Sequence, residues 1–153
     1  MGRRLYVVTA ALDDAGPPTS DLVARFAGGL GWRLLGLNPT TLAPESEYPL
    51  PHAAYWLTTS PDGHDAYAFD DPGGRAAGSR LLRVDLATGA AAPLGRVRGL
   101  GAAGLAVAAG RLYIADTAGD RLLVTDRSAR PIAALPVGRR PLGVVVGSAP
   151  GGG

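Results

Sequence analysis

Three segments of this chain line up on one another without a gap: Trp32-Arg33-Leu34-Leu35-Gly36-Leu37-Asn38, Ser79-Arg80-Leu81-Leu82-Arg83-Val84-Asp85 and Asp120-Arg121-Leu122-Leu123-Val124-Thr125-Asp126. Each carries Arg-Leu-Leu, ends in Asn or Asp and runs into a turn. A chain that repeats one supersecondary unit must bury the apolar face of each unit on its neighbour, so the repeat restricts the fold to an array of similar units. The recurring arginines are spaced 47 and 41 residues apart. Repeats of about 40–45 residues accommodate four short strands each.

The strand before each of these segments also recurs. Gly2-Arg3-Arg4-Leu5-Tyr6-Val7-Val8 matches Gly110-Arg111-Leu112-Tyr113-Ile114-Ala115, and His64-Asp65-Ala66-Tyr67-Ala68-Phe69 takes the same place in the middle repeat. An apolar stretch precedes two of them, at 53–59 and 104–109. Ser60-Pro61-Asp62-Gly63 then supplies a tight turn, with Pro presetting φ and Gly tolerating positive φ. After the Arg-Leu-Leu strands come turns beginning at Asn38, Asp85 and Asp126, and a fourth strand follows at 45–50, 91–97 and 131–137.

The expected fold is all-β: a β-propeller-type array of three four-stranded antiparallel blades in one domain. Blade one spans 3–50, blade two 51–97 and blade three 101–137. Blade one begins on its second strand, and 141–147 has the apolar pattern of an inner strand. The sequence therefore predicts that 141–147 completes blade one, in cis or in a homodimer. Rings close with 4–8 blades, so a dimer would make a six-bladed one. An insertion at 15–31 interrupts the repeat. Ser20 suits a helix cap there, and Leu22, Val23 and Phe26 share a helical face.

Composition agrees with many short strands: 46% of the 153 residues are hydrophobic, and 23 glycines and 13 prolines punctuate the chain. With no cysteine, disulfides and thiolate metal sites are excluded. A net charge of +2 gives no argument for nucleic acid. No stretch approaches the ~18 apolar residues of a membrane span. The basic, apolar start at 1–12 is closed by Asp13 and Asp14 without a cleavage pattern, which favours a strand over a signal peptide and a cytoplasmic location.

Leu112-Tyr113-Ile114-Ala115-Asp116-Thr117-Ala118-Gly119-Asp120-Arg121-Leu122-Leu123-Val124 resembles the NHL-type propeller repeat. Val137-Gly138-Arg139-Arg140-Pro141-Leu142-Gly143-Val144-Val145-Val146 is similar to the opening strand of the YVTN-type repeat. The resemblance implies a propeller fold for 50–147. It implies no single function, because such scaffolds host unrelated activities.

In a four-stranded antiparallel blade, the loops joining strands two and three share a face with the loops between blades. That rim is the expected binding face. Its candidate ligand-binding residues are Asp13, Asp14, His52, Asp70, Asp71, Arg98, Asp116, Arg139 and Arg140. Several carboxylates on one rim suit a divalent cation such as Ca²⁺, although Asp at a strand end also braces a turn. Exposed arginines suit a carboxylate or phosphate. The recurring Arg33, Arg80 and Arg121 read as inter-strand ion-pair partners, and Trp32, Tyr55 and Trp56 as core.

No nucleophile elbow, P-loop or His-Glu-x-x-His motif occurs. The expectation is therefore a non-catalytic binding or interaction module without a fixed cofactor, whose partner is a protein, a peptide or a small ligand. The enzyme alternative is a metal-assisted hydrolase of the propeller lactonase type that uses the rim aspartates. Such lactonases hold their metal with Glu, Asn and Asp; here Asn38, Glu45 and Glu47 fall in a turn and an outer strand away from the rim.

Overall fold

The computed structural model describes residues 4–10, 31–70, 80–96 and 102–147. Among them are eleven strands: β1 (Leu5–Ala10), β2 (Trp32–Leu37), β3 (Pro44–Leu50), β4 (Ala54–Thr59), β5 (Asp65–Asp70), β6 (Arg80–Asp85), β7 (Ala91–Arg96), β8 (Ala102–Ala108), β9 (Arg111–Asp116), β10 (Arg121–Asp126) and β11 (Pro131–Pro136). They form three antiparallel sheets, ordered β1-β2-β3, β4-β5-β6-β7 and β8-β9-β10-β11. These are the three expected blades, the first with three strands and the others with four. The insertion at 15–31, apart from residue 31, lies outside the described residues.

The middle blade is buried on both faces, which requires its strands to be apolar at odd and even positions alike. In β5 successive side chains point opposite ways. Ala66 and Ala68 join Leu34, Tyr48, Leu50, Leu82 and Val84 in the core shared with blade one. Tyr67 and Phe69 join Leu81, Leu105, Val107, Leu112, Ile114 and Leu123 in the core shared with blade three. All six residues of β5 are buried. The small residues admit the bulky ones of blade one, and the aromatics fill the space against blade three.

A polar clamp reinforces the second junction on the side away from the rim. Buried Asp65 accepts from Arg83 Nε at 2.7 Å and from Arg127 Nη2 at 3.1 Å. Arg127 Nε also donates to the Tyr67 hydroxyl at 3.1 Å, and Nη2 to Asp62 Oδ2 at 3.2 Å. Arg127 follows β10, so one guanidinium ties blade three to the strand two hairpin of blade two. Burial pushes the Tyr67 phenol up, and its hydrogen bond from Arg127 acts in the opposite direction.

The turns between third and fourth strands use one device. Asn38 Oδ1 accepts from the N–H groups of Thr40 and Thr41, and Asp85 Oδ1 from those of Ala87 and Thr88. Asp126 Oδ1 does the same with Ser128 and Arg130. Such turns place a residue in the left-handed region. In blade two it is Gly89, φ 78°, and at the equivalent place in blade one it is Leu42, φ 58°. The β8–β9 connection is a two-residue turn with both residues at positive φ, Ala109 at 47° and Gly110 at 71°, which matches the twist of its strands.

Residues 141–147 carry no strand and do not lie beside β1. Their backbone crosses β8 instead, where a Cβ on Gly104 would stand 2.7 Å from Gly143 Cα and 2.8 Å from Val144 N. Completion of blade one by 141–147 within the single chain is therefore not what the structure shows. The physical reason is reach. Blades stack in sequence order, so β1 and 141–147 fall at opposite ends of the stack.

Two outcomes follow. Leu42 is exposed and left-handed, so Leu42→Gly relieves strain of about 1–2 kcal/mol against a smaller glycine entropy cost. Urea unfolding is expected to show a gain of roughly 0.5–1 kcal/mol, and Gly89→Ala a loss. The second concerns Asp62, whose carboxyl is lowered to about 2 by the Ser60 hydroxyl first, then by the His64 N–H and Arg127. Since its folded pKa lies below the unfolded one of about 3.9, its contribution to stability is complete above that value and is lost as pH falls through about 2. A carboxyl ¹³C titration is expected to find that low midpoint, with Ser60→Ala raising it more than Arg127→Ala.

Candidate functional site

The rim is built from the loops 51–53, 117–120 and 137–141, with 11–30, 71–79 and 97–101 outside the described residues. Asp13, Asp14, Asp71 and Arg98 are thus outside them too. His52, Asp70, Asp116, Arg139 and Arg140 are described, and the structure places them in two groups.

In the first group Asp70 ends β5 opposite Arg80, the first residue of β6. The Asp70 side chain is fully buried, and Arg80 is ion-paired to its Oδ2 through Nη2, with Nε 3.1 Å away. His52, in the loop between blades one and two, lies with Nδ1 3.2 Å from Arg80 Nη2 and 3.3 Å from Asp70 Oδ1. Only the Arg80 contact has hydrogen-bond geometry, and Asp70 Oδ1 is left buried without a hydrogen bond. The two contacts compete for one ring nitrogen, which accepts from the guanidinium in one tautomer and donates toward the carboxylate in the other.

In the second group Asp116 ends β9 opposite Arg121, the first residue of β10. Its buried carboxylate accepts from Arg121 Nε at 2.7 Å and from the Gly119 N–H at 3.1 Å. A Cβ at Gly119 would run into this ion pair, which explains glycine at that place. Asp120 sits at φ 51° and accepts through Oδ1 from the Arg140 N–H at 2.7 Å. Arg140 is itself left-handed, φ 52°, and Gly138 has φ 90°. Thr117 Oγ1 donates to the Pro141 carbonyl at 2.7 Å. These bonds fix the 137–141 loop on the 117–120 turn, with the Arg139 and Arg140 side chains exposed. Among the described residues no carboxylate is ion-paired to either.

The register explains why blade one differs. Thr9 stands opposite Arg33 where Asp70 faces Arg80 and Asp116 faces Arg121. Without an acid there, Arg33 reaches across to Glu47 on β3, 2.6 Å away and solvent-exposed. Strand pairing thus puts Thr9, and not Asp13 or Asp14, at the place that Asp70 and Asp116 hold in the other blades. Asp70 and Asp116 are each bound by a guanidinium, while Asp120 accepts from a backbone N–H. Among the described residues no group of three His, Asp or Glu side chains could hold a metal ion.

Sequence reasoning placed Trp56 in the core, and the structure does not. At Tyr55–Thr58 the β4–β5 register shifts, so that Trp56 and Leu57 together oppose one residue. The bulge turns Trp56 out, 47% exposed at φ 56°. Glycine is the usual residue at a left-handed bulge position. Tyr55 and Trp32 behave as expected: Tyr55 packs on Phe69 with ring centroids 6.2 Å apart, and Trp32 lies against the first core. No alternation of residue types marks the bulge, so only the pairing register reveals it.

Arg80 and Arg33 predict a graded response. Arg80→Ala leaves a fully buried carboxylate without its cation, and a loss of about 3–5 kcal/mol is expected in urea unfolding. Arg33→Ala removes an exposed pair and is expected to cost less than about 1 kcal/mol. Equal losses from the two variants would contradict this account.

No protein-family description and no curated protein matches this chain. Solved structures do. AztD of Citrobacter koseri aligns with a TM-score of 0.54 at 20% identity over 80% of this chain and 37% of its own; its apo form gives 0.54 at 19% over 76% and 35%. The β-propeller domain of the trilobed protease from Pyrococcus furiosus, described as having an open velcro topology, gives 0.50 at 15% identity, over 71% of this chain and 35% of its own. The chain spans about a third of the length of these neighbours. At such identities the likeness concerns architecture alone, and with the three antiparallel sheets it shows that this chain has the β-propeller fold.

Proposed function

We propose that this chain is a non-catalytic binding module of the NHL/YVTN propeller type, whose rim takes an acidic peptide segment of a protein partner. The Asp116–Arg121 and Asp70–Arg80 pairs at matching places in two blades support the repeat type. The observation that carries the ligand class is the 137–141 loop. Arg140 is held in a strained conformation by Asp120, and two adjacent guanidinium groups are exposed with no carboxylate paired to them among the described residues. Strained, pinned backbone of this kind clusters at binding loops, and a pre-ordered loop binds at lower entropic cost. Guanidinium groups recognise carboxylates bidentately.

Asp70 and Asp116 have a positioning role in this reading, since Arg80 and Arg121 occupy their carboxylates. That same occupancy removes support from the metal-assisted hydrolase, which would need those oxygens for an ion. Asp13, Asp14, Asp71, Arg98 and His52 would shape the remainder of the rim.

The test is fluorescence polarisation with a fluorescein-labelled Asp/Glu-rich peptide. Binding is expected to weaken with salt and to fall at least about tenfold in the double variant Arg139→Ala/Arg140→Ala, each guanidinium–carboxylate contact being worth about 1.5–3 kcal/mol. Leu42→Gly, far from the rim, is expected to bind as the unaltered chain does. Undiminished binding in the double variant, or ester hydrolysis that depends on added divalent metal, would overturn the proposal.

A further inference from the structure

The two ends of the blade stack fit each other, and neither is covered by a strand among the described residues. At one end β1 is the edge strand of its sheet among the described elements. In the other two sheets that edge is covered by an inner strand, β4 or β8. Blade one shows the vacancy in its packing as well. β1 sits on β4 just as β5 sits on β8, yet no described strand stands beside β1 where β4 stands beside β5. The outward face of blade one is apolar along β1, with the exposed Arg33–Glu47 pair on the strands beyond it. Tyr6 and Val8 turn into the first core, whereas Leu5 and Val7 point the opposite way and are exposed.

At the other end, Leu105 and Val107 of β8 face blade two, so Gly104 and Ala106 face outward. That outward side is where 141–147 lies, close against Gly104. Inner strands of neighbouring blades pack directly on one another, as β4 and β8 do. The 141–147 segment therefore occupies the place of the next inner strand. It has the composition of one, carries no strand pairing, and exposes Leu142, Val145 and Val146, with Val145 89% exposed.

We propose that a second copy of this chain covers both ends. The 141–147 segment of each protomer pairs with β1 of its partner, and the outer face of blade three packs on the Leu5/Val7 face of the partner's blade one. The occupant follows from the chain's own parts. The vacancy beside β1 requires an apolar strand presented from the inner position of a preceding blade, and 141–147 is such a segment, held at such a position. Two copies related by a two-fold axis form two equivalent junctions and six blades, within the 4–8 that close a ring. Closure removes the exposed strand edge at β1.

Light scattering after size exclusion tests this. The unaltered chain is expected at about twice its 15.5 kDa mass. Val145→Asp and Val7→Asp are each expected to run as monomers with unchanged circular dichroism. Val145 is too exposed for its substitution to unfold the chain. An equimolar mixture of the two variants is expected to regain dimer, because a heterodimer keeps one junction in which both surfaces are unaltered. A monomeric unaltered chain, a Val145→Asp variant as dimeric as the parent, or two monomeric variants that fail to combine would each overturn the proposal. None of these outcomes depends on peptide binding at the rim, so the two proposals fail separately.

Discussion

Burial of β5 on both faces is the constraint from which the rest of the structure follows. A sheet with one apolar face ends a stack, and one with two apolar faces must lie inside it. Ala66 and Ala68 on one side and Tyr67 and Phe69 on the other make the middle blade asymmetric. The blade order is therefore not interchangeable. The side with the small residues accepts Leu34 and Tyr48, whose hydroxyl donates to the Leu86 carbonyl at 2.9 Å. The aromatic side accepts the aliphatic residues of β8, β9 and β10. Fully burying a side chain of this size contributes roughly 1.5–3 kcal/mol, so each junction rests on several such terms and the polar clamp at Arg127 adds direction more than energy.

The rim shows what a repeated ion pair does when one member is missing. Arg80 and Arg121 each close a strand end by binding a carboxylate across the hairpin, and burial of that carboxylate makes the pair obligatory. Arg33 keeps the arginine but meets Thr9, and its partner becomes an exposed glutamate on the next strand. The arginine is therefore retained by two different chemistries, one internal and costly to break, the other superficial. It also follows that a rim rich in Asp by sequence presents fewer free carboxylates than its composition suggests. The positive groups at Arg139 and Arg140 are left as the exposed charges of the 137–141 loop.

Most of the architecture was legible in the sequence, because spacing, turn residues and strand alternation all depend on local rules. The Arg-Leu-Leu segments and the Asn38, Asp85 and Asp126 turns set ten of the strands to within a residue or two, and the repeat match set β1 at Leu5–Ala10. What escaped was governed by register and by the ends of the stack. The match of Leu5-Tyr6-Val7-Val8 with Leu112-Tyr113-Ile114-Ala115 already puts Thr9 at the place of Asp116 and Asp70, but the exposed partner that Arg33 takes instead, Glu47, appears only when strands are paired. The outward turn of Trp56 depends on one extra residue in β4. The position of 141–147 depends on which blade face is open, and no local pattern encodes that.

Left-handed residues other than glycine occur off the rim, at Leu42, Trp56, Ala109 and Ala129, as well as on it, at Asp120 and Arg140. At Gly89, Gly110 and Gly138 the chain uses the residue that carries no steric cost there. At Asp120 and Arg140 it does not, although both positions lie in the same small loop cluster. Asp is among the residues that tolerate this region, and here its side chain bonds the very N–H that the conformation of Arg140 exposes. Arg140 has no such local bond from its own side chain. A glycine there would keep the hydrogen bond to Asp120 and relieve the strain, but it would remove an exposed guanidinium. The cost retained at Arg140 thus comes with an exposed guanidinium, which supports the recognition proposed for this edge of the blade.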